Sequence, residues 1–217
     1  MDYQENAITI FKNEEFLLML AAAGAEEWYG IDLSEEKAAL ESDRSFNAGL
    51  ASLYGKQVVE WNGGRARITD PYRQLFRTLR DAKVCIILSS AARPDHVKAC
   101  YCSGGMAAEV ERRSFSEDEL EVSLRSASEW LGDISGSGML PEAAEEGGGA
   151  DIGGHNAELR CSFELRRVSD GALLESMSVY ERGLYAETRF GGGMSGTENY
   201  SMDRILEVLR GWIGGAE

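Results

Sequence analysis

The chain opens with polar and apolar positions at helical spacing. Asn13 stands before an apolar-periodic stretch that predicts a helix from Glu14 to about Ala23, with Glu14 and Glu15 in the first turn where the helix dipole favours them. Ser34 in turn predicts a longer helix to about Tyr54, closed by Gly55. Val58, Val59 and Trp61, then Asn62-Gly63-Gly64, then Ala66 to Ile68, read as a short hairpin around a glycine turn. A third helix is expected from Asp70 or Pro71 to about Asp81, since proline is tolerated in a first turn.

From residue 83 the period changes. Val84 to Leu88 is a continuous apolar run, which suits a strand buried on both faces. His96 to Cys102 and Met106 to Arg112 follow as strands around Gly104-Gly105. Ser116 and Glu119 match a capping box ahead of a helix that ends at Gly132, with Leu120, Leu124, Ala127 and Leu131 on one face. Later, Ala157, Leu159, Cys161, Phe163 and Leu165 alternate with polar residues, the period-2 pattern of a half-exposed strand. Ser169-Asp170-Gly171 turns the chain into Ala172 to Tyr180, and Arg182-Gly183 turns it into Leu184 to Phe190. A closing helix carries Met202, Ile205, Leu206, Leu209, Trp212 and Ile213 as its apolar stripe.

Leu124, Ala127, Trp130, Leu131 and Gly132 map onto Leu206, Leu209, Trp212, Ile213 and Gly214 at a constant offset of 82 residues. The chain therefore reads as a β-β-β-α unit written twice. The expected fold is α+β: two pseudo-repeated units share an antiparallel sheet flanked by helices. Its parts are a helical segment with a hairpin (1–82), the first unit (83–132), a glycine-rich acidic linker (133–156) and the second unit (157–217), together one compact domain. Residues 134–154 and 191–196 are expected to be the most mobile.

The 217 residues carry a formal charge of −15, which opposes general attraction to nucleic acid or anionic membranes. No apolar run reaches the roughly 20 residues of a membrane span, and the acidic start lacks a signal-peptide pattern. A soluble, cytoplasmic protein is expected. The four cysteines, 85, 100, 102 and 161, all fall in strands without zinc-ligand spacing and read as buried thiols.

Candidate chemistry is sparse. Gly191 to Thr197 superficially resembles a phosphate loop but lacks the lysine that contacts phosphate. His96 and His155 stand beside no nucleophile motif. Neither catalytic residue, cofactor nor metal is expected. Residues 1–82 suggest a winged helix as the alternative, with Arg73, Arg77 and Arg80 as a stripe. Yet that segment holds 14 acidic and 9 basic residues, where a DNA reader is basic.

The helical N-terminal part, the two strand-rich halves and the repeated Leu-x5-Trp-aliphatic-Gly endings resemble the EspG-like chaperones of ESX, or type VII, secretion. That resemblance implies a central antiparallel sheet between helical bundles and a helical export substrate held in the cytoplasm. It implies a non-enzymatic chaperone or accessory factor whose partner is a helical secreted protein, with no nucleic acid and no membrane insertion. Trp61, Arg65 and Arg67 are the expected partner contacts, because a projecting hairpin with one aromatic and two guanidiniums suits an interface. No residue pattern sets an oligomeric state.

Overall fold

The computed structural model describes residues 8–25, 28–40, 43–140, 158–180, 185–190, 194–199 and 201–215. Strand β1 (Thr9–Lys12) leads into helix α1 (Asn13–Ala23). Helices α2 (Ser34–Ala39) and α3 (Asp43–Gly55), the hairpin β2 (Val59–Asn62) and β3 (Arg65–Ile68), and α4 (Asp70–Asp81) follow. Strands β4 (Val84–Ser90), β5 (Arg93–Ser103), β6 (Met106–Arg112) and β7 (Glu119–Ser126) precede α5 (Ala127–Gly136). Strands β8 (Leu159–Arg167), β9 (Leu173–Tyr180), β10 (Tyr185–Phe190) and β11 (Met194–Asn199) precede α6 (Met202–Gly214).

Among the described residues, nine strands form one antiparallel sheet in the order β1-β7-β6-β5-β4-β8-β9-β10-β11, while β2 and β3 pair on their own. β4 and β8 are the first strands of the two units, and they pair antiparallel with Ile86 opposite Leu165. Two equal units related by a twofold would meet this way. Each unit nevertheless has four strands before its helix, so the repeat is β-β-β-β-α.

The fourth strand of the first unit is β7, where a helix was expected from Ser116 and Glu119. Leu120 and Leu124 satisfy both periods, but Val122 between them completes a strict alternation with Glu119, Glu121, Ser123 and Arg125. The working capping box lies ten residues later: Ser126 Oγ accepts from the Glu129 N–H at 3.2 Å, and Glu129 Oε2 accepts from the Ser126 N–H at 2.8 Å. The repeated endings are correspondingly out of phase. Trp130 is the fourth residue of α5 and Trp212 the eleventh of α6, and Leu124 is in a strand where Leu206 is in a helix.

Other expectations shift in detail. β1 was not foreseen. The helix expected from Ser34 to Tyr54 is two helices, α2 and α3. Asn13 does not cap α1 but opens it. Its buried side-chain amide donates to Glu117 O at 3.0 Å and also to Glu36. Of the linker, residues 133–136 complete α5 and Leu140 is buried, while 141–156 lie outside the described residues. Part of the Gly191 to Thr197 segment is strand β11, because backbone pairing to β10 from Met194 to Asn199 needs no apolar pattern.

Alternation on the central strands feeds two cores. On one face Cys85, Ile87, Tyr101, Val110, Leu120 and Val122 pack against α1, α3 and α4 through Phe16, Leu53 and Phe76. On the other, Ile86, Leu88, Cys100, Phe163, Leu165, Met177 and Val179 pack under α5 and α6 through Trp130, Ile134, Ile205, Leu209 and Trp212. The segment before α2 lies against the first face. Trp28 stacks on Tyr101 with centroids 4.7 Å apart, and a side chain at Gly30, where φ is +112°, would strike Ala99 and Ile87.

Ile86 is fully buried between the sheet and the α5–α6 layer. Ile86→Ala should lower unfolding free energy by about 2–5 kcal/mol, read by urea denaturation.

Candidate functional site

The β2–β3 hairpin carries all three residues expected at an interface, and the sequence sets its shape. Gly63 and Gly64 adopt φ of +60° and +80°, the backbone that a two-residue turn of right-twisted strands requires. Val59 pairs with Ile68 and Trp61 with Ala66, so these four share one hairpin face. Val59 and Ile68 root that face in the core, whereas Trp61 lies beyond it at 55% exposure. Arg67, opposite Glu60, and Arg65, opposite Asn62, occupy the other face, and both are exposed. The hairpin thus holds the indole on one side and the two guanidiniums on the other.

Its base is fastened. Thr69 donates its N–H to Val58 O at 3.0 Å, and its hydroxyl reaches Gln57 O at 2.9 Å. Just before the hairpin, Lys56 Nζ donates to Ile10 O at 3.2 Å and to Glu15 Oε2 at 2.6 Å, which ties the root to β1 and α1. Glu15 is buried. Burial pushes its pKa up, but hydrogen bonds from Lys56, Ser52 and the Lys12 N–H, together with the Lys56 charge, outweigh this and hold it below the ordinary carboxylate value.

A second polar region lies where β5, β6 and β7 meet α5. Glu109 accepts the Trp130 indole N–H at 2.8 Å and sits 3.3 Å from Lys98 Nζ and 3.5 Å from Arg125. Lys98 also pairs with Glu111 at 2.6 Å, and Arg125 with Asp133. Burial pulls Lys98 down, but the two carboxylates outweigh it and hold its pKa above the ordinary lysine value. These groups line a cavity of about 200 Å3 with Ile8, Val122, Ile134 and Met139. Every charge here has an opposite neighbour, an arrangement that holds α5 on the sheet. Trp212 does the same for α6 by donating to Glu175 at 2.6 Å, so both tryptophans are buried anchors that end on a sheet carboxylate.

The four cysteines are free and buried. Burial pushes the Cys85 and Cys100 thiols up, and that of Cys161 to about 11. Among the described residues no group of three or more His, Cys, Asp or Glu side chains is placed to hold a metal ion. His155 and residues 191–193 lie outside the described residues, as does the His96 side chain. In the arginine stripe, Arg73 pairs with Asp70 and Arg80 with Asp81, each at 2.7 Å, the exposed pairing of a solvated helix. No helix among the described residues is long and apolar enough to cross a membrane.

Sequence reasoning missed the exposed apolar side chains outside the hairpin. Phe115 is fully exposed in the β6–β7 turn, and Phe46 and Tyr54 on α3 are 47% and 55% exposed. Phe115 falls in a Ser-Phe-Ser-Glu-Asp stretch that looks like the approach to a helix, and the helical reading of 119–126 hid the turn.

No protein-family model and no curated protein matches the chain in sequence. Among solved structures it is similar to EspG5, the type VII secretion system chaperone of Mycobacterium tuberculosis, determined in complex with a PE25–PPE41 dimer. The likeness covers 97% of each chain with a TM-score of 0.53 at 8% identity. At that identity the two chains share a fold: a large antiparallel sheet with helices on both faces.

Two outcomes follow from this chemistry. A depressed carboxylate stabilises the fold above its unfolded pKa, near 4.5, and that contribution is lost as pH falls through the folded value. Lys56→Met should therefore cost about 1–3 kcal/mol at pH 7, and that cost should shrink as pH falls toward 3 and Glu15 takes up its proton, measured by urea denaturation across pH 3–7. The thiols should stay silent to Ellman's reagent in the native protein, and all four should react once it is unfolded.

Proposed function

We propose that this chain is a non-enzymatic protein-binding factor, a cytoplasmic chaperone or accessory protein for a secreted helical partner of a type VII-like system. The observation that carries the reading is the shared fold along 97% of both chains with EspG5, a type VII secretion system chaperone determined in complex with a PE25–PPE41 dimer. Two features of the molecule agree with it. The charge of −15 favours a basic or neutral partner surface, and the charged groups around Glu109 are engaged with one another.

In this reading the β2–β3 hairpin is the contact element. Trp61 covers an apolar stripe of the partner helix, while Arg65 and Arg67 on the opposite face meet carboxylates or carbonyls at the rim. Because the hairpin is rooted through Thr69 and Lys56, little ordering is left for binding to impose. The complex covers the partner's apolar surface until handover to the export machinery.

Co-expression with neighbouring genes that encode small helical secreted proteins should yield a stable complex. Trp61→Ala should weaken it by about 2 kcal/mol, some thirtyfold in Kd by calorimetry, and Arg67→Glu should weaken it in the same direction. Specific retention of DNA at physiological salt, with no protein partner recovered, would overturn the reading.

A further inference from the structure

The β6–β7 turn presents an apolar side chain that no described residue packs against. Phe115 is fully exposed, and the turn that carries it is fastened at several points. Arg113 N–H donates to Glu119 O at 3.0 Å, and Ser116 N–H to Arg113 O at 3.2 Å. The Arg113 guanidinium pairs with Glu119 at 2.7 Å. Behind the turn, the buried Asn13 donates its backbone N–H to Asp118 O at 2.9 Å and its side-chain amide to Glu117 O at 3.0 Å. Arg112 clamps the far side by donating to Asp32 O at 2.9 Å and to Glu117 O. A floppy loop with an exposed phenylalanine needs no explanation. A turn fastened to the buried Asn13 and, through Arg112, to Asp32 O fixes the backbone from which the ring projects, so binding has little main chain left to order.

We propose that Phe115, on its preformed turn, is a second anchor for the helical partner protein, entering an apolar socket on that partner's surface. The proposal rests on the protein-binding reading above and adds to it the site and its chemistry. The surroundings select the rim of that socket. Asp32, Glu36, Glu117 and Asp118 lie around the turn, while Arg112 and Arg113 are spent on internal carbonyls and carboxylates. The partner surface complementary to this tip is apolar at its centre and carries lysine or arginine at its edge.

Phe115→Ala removes a side chain that touches solvent, so its melting temperature should match the wild type. In the complex with the co-expressed helical partner it should weaken binding more than about tenfold by calorimetry. Leu173→Ala, at another exposed apolar position, should leave affinity unchanged. A complex that forms with wild-type affinity for Phe115→Ala would overturn this proposal and leave the protein-binding reading standing. Equal losses from Phe115→Ala and Leu173→Ala would also overturn it, as general stickiness. If no complex forms with any neighbouring helical protein, both readings fall. So would this one if Phe115→Ala abolished only self-association in sedimentation, or only binding to phosphatidylcholine vesicles.

Discussion

Strand β4 is the part on which the rest of the structure depends. Its Cys85 and Ile87 belong to the core under α1, α3 and α4, and its Ile86 and Leu88 to the core under α5 and α6. It also carries the ladder to β8 through which the first unit meets the second. A strand buried on both faces must be apolar throughout, so Val-Cys-Ile-Ile-Leu is dictated by position in the sheet rather than by local preference. Toward β8 and β9 the demand relaxes on one face, and polar Ser162, Glu164 and Arg166 alternate with buried Cys161, Phe163 and Leu165.

Charges near the sheet are consumed in holding helices: Glu109 and Glu175 each receive a tryptophan N–H, and Glu15 holds Lys56. Among the described residues, exposed large apolar side chains include Trp61 on the β2–β3 hairpin, Phe115 on the β6–β7 turn, and Phe46 and Tyr54 on α3. Both the hairpin and the β6–β7 turn are fastened by hydrogen bonds to backbone carbonyls, which leaves little backbone ordering for the proposed contacts there to impose.

Much of the fold was legible in the sequence where one local signal acted alone. Asn62-Gly63-Gly64 between apolar runs marks the hairpin, Gly104-Gly105 sets off Met106–Arg112, and β8 follows from alternation. The reading failed where two templates overlapped or where backbone pairing replaced side-chain pattern. Leu120 and Leu124 fit a helix as well as a strand, and only Val122 and the neighbouring β6 decide for β7. The edge strands β1 and β11, four and six residues long, are held by ladders that no local period announces. The matching Trp-aliphatic-Gly endings pointed to real helix anchors but to the wrong equivalence, because a tryptophan can reach a sheet carboxylate from either end of a helix. At the site, the hairpin was legible, whereas the separation of Trp61 from Arg65 and Arg67 onto opposite faces required the register. Phe115 was hidden by the misread helix.

Hydrogen exchange on the complex tests the central claim most directly, since it reads where a partner lands without altering any residue. Backbone amides of residues 59–68 should gain protection when the helical secreted partner binds, while those of β4 and β8 should exchange as slowly in the free protein as in the complex. Protection that appears instead on α6 and the β10–β11 edge, with the hairpin unchanged, would contradict the account.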